Sequence, residues 1–104
     1  MARKEPHPGD LTKVIRRLAT EGQVAYSFHA FHERSDERNI DMQDALAVLR
    51  HGMIKGEIIA GNNPGEWKCK VVDTLDRSSR AIGVVIVVMR SERLLIVTVE
   101  WEDK

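Results

Sequence analysis

Residues 26 to 41 hold the side chains of this sequence that are best suited to chemistry. They include two histidines, two arginines and four acidic residues within about four helical turns, where a structural helix normally shows an apolar stripe. Imidazoles titrate near neutrality, and guanidinium groups match phosphate oxygens. His29 or His32 is therefore a candidate base or acid, and Arg34 and Arg38 are candidate phosphate ligands. Such a set could cleave RNA without a metal, because that reaction needs a base, an acid and cations around phosphorus.

The same segment also has structural interpretations. Glu33 and Glu37, like Arg34 and Arg38, are four residues apart, and like charges at this spacing cost an isolated helix roughly a few tenths of a kcal/mol per pair. A bound anion, charged neighbours from the rest of the fold, or pairing of Arg34 with Glu37 could offset this cost. The arginine stems could also lie over the edge of the core. A bound anion would indicate a functional site, whereas charged neighbours, pairing within the helix or packing of the stems would indicate a scaffold.

Each histidine has alternatives as well. His29 fits a capping or solvent-facing position, and His32 faces Asp36 four residues further on, which is typical of a surface pair. His29, His32 and Glu33 could converge on a cation, but the chain has no HExxH, CxxC or aspartate-rich loop. Glycine-rich phosphate loops and dinucleotide fingerprints are also missing from the sequence. We therefore predict no metal and no cofactor.

A second group of polar residues lies in the C-terminal half. Lys68 and Lys70 alternate with apolar residues, so they occupy the polar side of a predicted strand, with Arg80 or Arg90 nearby. These four cations are candidate contacts to an RNA backbone. Thr98 is a candidate catalytic helper, although the β-propensity of threonine is enough to account for its place in a strand.

Three further residues are expected to be structural. Trp67 and Trp101 could stack on bases, but each falls on the apolar side of a predicted strand, and we predict core packing for both. Cys69 is surrounded by no catalytic motif and is predicted to be a small buried hydrophobe.

Length and composition limit the classes of protein that the chain can belong to. The 104 residues suffice for one domain, with residues 10 to 104 predicted as the domain and residues 1 to 9 as a flexible N-terminus. Sixteen basic and sixteen acidic residues cancel, so any nucleic-acid contact requires a local patch. The single cysteine fits a reducing compartment. The apolar run at residues 81 to 89 is too short to cross a membrane, and the N-terminus has no apolar signal core. We therefore expect a cytoplasmic protein without membrane contact.

The elements that position these side chains follow from periodicity and from turn residues. Apolar residues at helical spacing predict a first helix, which begins at an N-cap and ends at a glycine. Two further helices are predicted in the same way. The predicted caps and stops are Asp10 and Gly22, then Ser27 and Asn39, then Asp41 and Gly52.

After the helices the pattern changes to strands. Four strands are predicted at residues 53 to 60, 67 to 71, 81 to 89 and 94 to 101, separated by short turn sequences. Short turns force antiparallel neighbours. The third strand is apolar on both sides, which is typical of a central strand. The expected fold is α+β, with two to three N-terminal helices packed on a four-stranded antiparallel meander.

The order of several short motifs resembles the domain-of-unknown-function family numbered 4258. The matching residues run in order over residues 24 to 101: Tyr26-Ser-x-His29-Ala, Glu33-Arg34, Glu37-Arg38-Asn-Ile40, Asp44 to Leu49, Arg50-x-Gly52-x-Ile54, Trp67-Lys-x-Lys70 and Val97-Thr98-Val99. That family is similar in layout to RelE and MqsR toxins, small bacterial ribonucleases with helices on a curved antiparallel sheet. The resemblance implies a RelE- or barnase-like toxin layout, an endoribonuclease activity and an antitoxin-like protein partner.

The sequence departs from the family pattern at the first histidine. Relatives usually have this histidine four residues before the first arginine, whereas His29 and Arg34 are five apart, so their side chains diverge by roughly 140° in an ideal helix. A π-bulge could restore the alignment, or His29 could lie in a frayed first turn. Alternatively His29 has lost its role and His32 is the titrating group.

Two functional hypotheses follow. The first is a toxin-like, metal-independent endoribonuclease that binds RNA and is held in check by a protein partner. The second is a non-catalytic interaction module that forms a dimer or binds a protein partner. A dimer would be built through the apolar strand at residues 81 to 89 or through an exposed edge at residues 94 to 99.

Overall fold

The protein is an α+β domain built on a five-stranded sheet. The computed structural model describes residues 5–27, 42–74 and 80–102. Within these ranges the elements are α1 (Pro8–Thr20), β1 (Val24–Tyr26), α2 (Met42–His51), β2 (Met53–Ala60), β3 (Trp67–Thr74), β4 (Ala81–Met89) and β5 (Arg93–Trp101).

Helix α1 begins earlier than the sequence suggested. Pro8 is its first residue, and His7 is the N-cap, because the Nδ1 atom of His7 accepts a hydrogen bond of 3.0 Å from the backbone N–H of Gly9. Asp10 lies in the first turn, so its prediction as the N-cap was wrong. The reason is that proline has the dihedral angle of a first helical residue and needs no N–H partner there.

Both glycines predicted to end helices do so. Gly22 has a φ of 78° after α1, and its N–H donates to the carbonyl of Ala19. This left-handed conformation carries little cost in glycine. At the end of α2 the N–H of Gly52 donates to the carbonyl of Val48 at 2.7 Å.

The predicted second helix, from Ser27 to Asn39, lies outside the described residues except for its first residue. Ser27 follows β1 directly. Its N–H donates to the carbonyl of Ile96 at 2.9 Å, and its Oγ donates to the carbonyl of Val97 at 3.3 Å. Ser27 thus continues the contact of β1 with β5. Asp41, the predicted N-cap of α2, also lies outside the described residues.

The antiparallel meander of β2 to β5 is confirmed, but the sheet contains one more strand. The strand order is β1-β5-β4-β3-β2, and β1 pairs in parallel with β5 through Val24 with Leu94 and Tyr26 with Ile96. The sheet is therefore mixed, and the prediction of four antiparallel strands was incomplete. β1 was not predicted because its three residues are too few to show alternating polarity, and because its partner strand β5 is far away in the sequence.

The two described helices cover one face of the sheet. Their buried side chains form a single core with alternate strand positions, and β4 is the central strand, as predicted. The strand residues of this core include Ile58, Cys69, Val71, Ile82, Val84, Ile86, Leu94 and Ile96. Neither described helix is long and apolar enough to pass through a bilayer.

The opposite face receives no buried side chain from either described helix. Because directly paired residues share a face, the strand register defines its members. We call it the lysine face; it comprises Met53, Lys55, Ile59, Lys68, Lys70, Val72, Thr74, Ala81, Gly83, Val85, Val87, Met89, Arg93, Leu95, Thr98 and Glu100.

Candidate functional site

The four residues predicted to carry catalysis fall outside the described residues. These are His29, His32, Arg34 and Arg38. Their roles stay predictions, and so does the alternative that they form a structural surface. The described part of the site consists of the residues that the strands contribute.

Three of the predicted strand residues share the lysine face. Lys70 pairs with Val85, and Val85 pairs with Thr98, so these positions form one row across β3, β4 and β5. Neighbouring strands are about 4.8 Å apart, which separates the backbones of Lys70 and Thr98 by roughly 10 Å. Lys68 lies on the same face, next to Val87. The sheet therefore brings two cations and one hydroxyl together.

Lys70 belongs to a group of four charged side chains, which we call the Lys–Glu cluster: Lys55, Lys70, Glu100 and Glu102. The Nζ atom of Lys70 is 2.9 Å from Oε2 of Glu102 and 3.8 Å from Oε2 of Glu100. The Nζ atom of Lys55 is 3.2 Å from Oε1 of Glu102. One carboxylate therefore bridges two ammonium groups.

Gly83 makes the room for this bridge. A Cβ atom at Gly83 would lie 2.5 Å from Oε2 of Glu102 and 3.1 Å from Cδ of Lys70. The carboxylate thus lies directly against the sheet, and only 9% of the Glu102 side chain is exposed. Any larger residue at this position in β4 would push the carboxylate away.

The contact between Lys70 and Glu102 favours the charged form of both side chains. The hydrogen bond to Glu102 raises the pKa of Lys70, and the hydrogen bond from Lys70 lowers the pKa of Glu102. Efficient general acids and bases have pKa values near the working pH. Lys70 and Glu102 are therefore poor proton-transfer groups, although they can hold or exclude an ion.

The lowered pKa of Glu102 predicts an acid-dependent loss of stability. The contribution of this carboxylate is present above 4.5, its ordinary pKa, and is lost as the pH falls through the lower pKa of the folded state. At neutral pH, Glu102→Gln is expected to lower the free energy of unfolding by about 1 kcal/mol. Urea unfolding at a series of pH values measures this difference, which should shrink toward zero in acid. A difference that stayed constant down to about pH 3 would contradict the assignment.

Arg80 and Arg90 lie at opposite ends of β4. The guanidinium carbon of Arg80 is 4.1 Å from the centre of the Trp101 ring. Arg90 follows β4 at its other end, and its backbone N–H donates to the buried Glu66 at 3.3 Å. The length of the strand separates the two arginines by roughly 30 Å. They therefore do not contact the same phosphate, and the register places neither of them on the lysine face.

The structural assignments of three other residues are confirmed. Trp67 and Trp101 are partly buried and pack against the core. Cys69 is a buried core residue of β3, and burial raises the pKa of its thiol to about 11. Because only the thiolate is nucleophilic, this cysteine is inert at neutral pH.

Sequence reasoning missed the acidic half of the Lys–Glu cluster. A signal was present, since Thr98, Glu100 and Glu102 alternate in the same way as Lys68 and Lys70. Opposite charges on neighbouring strands stabilise a sheet when they share a face. The register that brings them together depends on the whole meander, however, and cannot be derived from one strand.

The comparisons with known proteins assign no function to this site. No family model matches the chain, and no curated protein matches it. The resemblance to the domain-of-unknown-function family numbered 4258 therefore stays a prediction, based on the motifs quoted above. Among the described residues, no three histidine, cysteine or acidic side chains are grouped so that they could hold a metal ion.

Proposed function

We propose that this chain is a toxin-like cytoplasmic endoribonuclease that acts without a metal. The supporting observation is the common location of Lys68, Lys70 and Thr98, which were selected separately from the sequence and share the face opposite the two described helices. A sheet with one face packed on helices and the other bearing cations agrees with the RelE- or barnase-like layout implied by the family resemblance.

In this proposal the described residues bind RNA and the histidines move protons. The lysine face supplies ammonium groups for the phosphates and the hydroxyl of Thr98. Its described positions include no histidine. The raised pKa of Lys70 and the lowered pKa of Glu102 make both side chains unsuitable as a base or an acid near neutral pH. The base and the acid are then His29 or His32, with Arg34 and Arg38 on the reacting phosphate.

The position of Ser27 supports this division of roles. Ser27 precedes His29 by two residues and is bound to the backbone of Ile96 and Val97, immediately before Thr98 in β5. The chain therefore enters the segment with the histidines beside the strand that carries Thr98. This proximity is what a shared site would require.

An antitoxin-like partner is part of the proposal. Met53 and Ile59 on β2 are 66% and 49% exposed, and both belong to the lysine face. Exposed large apolar side chains beside a binding face are typical of a protein contact. A partner that covered them would also block access of RNA to Lys55, Lys68 and Lys70.

The proposal is tested by inducible expression in bacteria, with growth and RNA integrity as readouts. The unaltered chain is expected to stop growth and to produce discrete RNA cuts. One of the two variants His29→Ala and His32→Ala is expected to lower cleavage by about 10²- to 10⁴-fold, because it removes the proton-transfer group. Lys68→Ala should lower cleavage about tenfold, which corresponds to about 1.4 kcal/mol of phosphate binding.

Lys13→Ala is the matched control. Lys13 is an exposed lysine of α1, away from the lysine face, and its loss changes the net charge by the same amount. Cleavage by this variant should equal that of the unaltered chain. A folded, unaltered protein that neither stops growth nor cuts RNA would exclude the nuclease.

The alternative is an interaction module without catalysis, which forms a homodimer or binds a protein partner. β4 is paired on both sides, and β5 is paired with β1 through residues 94 to 96, so neither offers a free edge there. Among the described strands the edges of the sheet are β1 and β2, and β2 carries the exposed Met53 and Ile59. A bulge between Lys55 and Ile59 interrupts this edge, and such bulges oppose strand addition. A dimer measured by light scattering, together with intact RNA, would favour this module.

A further inference from the structure

We propose that Lys55, Lys70 and the bare backbone at Gly83 form a binding site for a phosphate group of RNA, and that the Glu102 carboxylate occupies this site as an internal competitor. The identity of the ligand rests on the proposed function. The existence of the site rests on the geometry of the Lys–Glu cluster.

The carboxylate of Glu102 has the contacts that a phosphate would make. Each of its two oxygens faces a different ammonium group, at 2.9 Å for Lys70 and 3.2 Å for Lys55. Lysine binds phosphate as a point charge and does not require the planar geometry of arginine. Two oxygens of a phosphodiester can therefore take the two positions now held by Oε1 and Oε2.

The floor of the site admits an anion close to the sheet. Gly83 has no side chain, and a Cβ atom there would be 2.5 Å from the oxygen of Glu102. The next residue of β4 on the same face is Val85, which does carry a side chain. The space for an anion is thus a local property of Gly83 and not of the whole lysine face.

The competitor can leave without disrupting the sheet. Glu102 follows the last residue of β5, and its backbone N–H is bound to the carbonyl of Ala81, so a rotation of its side chain breaks no strand pairing. Its partner Lys55 is 65% exposed and Lys70 is 30% exposed. The Glu102 side chain is only 9% exposed, but solvent reaches the ammonium groups of both lysines. Ion pairs open to solvent are weak, so another anion can replace the carboxylate.

Charge balance predicts the direction of the effect. Two lysines and two glutamates make the cluster neutral, and Glu100, whose carboxylate is 3.8 Å from Lys70, remains near the site when Glu102 leaves. Removing the charge of Glu102 leaves one net positive charge, because Lys55 loses its partner and Lys70 keeps only the more distant Glu100. RNA should then bind more tightly.

The test uses fluorescence anisotropy with a labelled single-stranded RNA of about twelve nucleotides. All its sugars are 2′-O-methylated, so it cannot be cleaved through the 2′-hydroxyl, and binding is measured separately from catalysis. Glu102→Gln is expected to tighten binding about fivefold. Lys70→Gln should weaken binding about tenfold, and the double variant should lose the gain of Glu102→Gln.

Glu92→Gln is the matched control. Glu92 is 71% exposed and pairs with Arg17 at 3.2 Å, so this variant removes the same charge and a similar ion pair outside the cluster. Its affinity for the RNA should equal that of the unaltered chain. Equal affinities for Glu102→Gln and Glu92→Gln would overturn the site. Should Glu102→Gln not fold, an unchanged affinity of Lys70→Gln would overturn it instead.

The outcomes separate this inference from the proposed function. Tighter binding by Glu102→Gln, in a chain that never cuts RNA, would uphold the anion site and reject the nuclease. RNA cleavage by the unaltered chain, together with no effect of Glu102→Gln on affinity, would uphold the nuclease and reject the anion site.

Discussion

Gly52→Ala is expected to lower the free energy of unfolding by about 3 kcal/mol. A Cβ atom at this position would lie 2.6 Å from the carbonyl oxygen of Val72 and 2.7 Å from that of Val48. It would also lie 3.0 Å from Cγ1 of Val71. Two of these three atoms are backbone, so the last turn of α2, which contains Val48, must distort and also move away from Val72 in β3. Urea unfolding followed by circular dichroism measures the loss.

Gly56→Ala is the control for this prediction. Gly56 has a φ of 85°, but a Cβ atom there would meet nothing within 4 Å. The substitution should therefore cost only the strain of a left-handed residue, about 1 kcal/mol. If both variants lost the same stability, close packing around Gly52 would not be the cause.

Gly52 also illustrates how much of the fold the sequence reveals. Its role as a helix stop could be predicted, because a glycine after an apolar periodic run is a local signal. Its contact with Val72 could not, because that contact depends on how α2 packs on β3. The four longer strands showed their periodicity, whereas the three residues of β1 were identified only through their pairing with β5.

The candidate site, too, could be predicted only in part from the sequence. Lys68, Lys70 and Thr98 were recognisable as polar or hydroxyl-bearing strand positions, and alternation correctly put both lysines on one face. Arg80 was grouped with them because it is near in sequence, yet it lies over Trp101. The bridging role of Glu102 depends on the register between β3, β4 and β5, and a shift of one residue would move it to the other face.

The Lys–Glu cluster has a consequence for any RNA-binding hypothesis. A protein without net charge cannot rely on a general field, so it requires a local excess of cations. With Glu102 bound to Lys55 and Lys70, the lysine face has little such excess. Release of the Glu102 carboxylate from the two lysines would create a local excess of positive charge. The affinity for RNA is thus expected to depend on one carboxylate more than on the total number of lysines.

Leu94→Ala is expected to lower the free energy of unfolding by about 4 kcal/mol. Leu94 is 0% exposed on the helix-covered face of β5 and pairs with Val24 and Val88. Truncation removes three buried carbons from the core, which cannot close around the cavity because a sheet and two helices hold it. Chemical unfolding at neutral pH measures the loss, with an unchanged denaturant slope showing that the folded state is still compact.

Leu95→Ala is the matched control, and it also tests whether RNA can reach the lysine face at Lys68. Leu95 is the same residue type, one position along β5 on the lysine face, and it is only half-buried. Its truncation should cost about 1.5 kcal/mol, since it removes less surface from contact with the protein. A loss as large as that of Leu94→Ala would mean that the lysine face is packed as tightly as the core. RNA could then not reach Lys68, which lies in the same row as Leu95 through Val87, and the role of Lys68 in the nuclease would have to be abandoned.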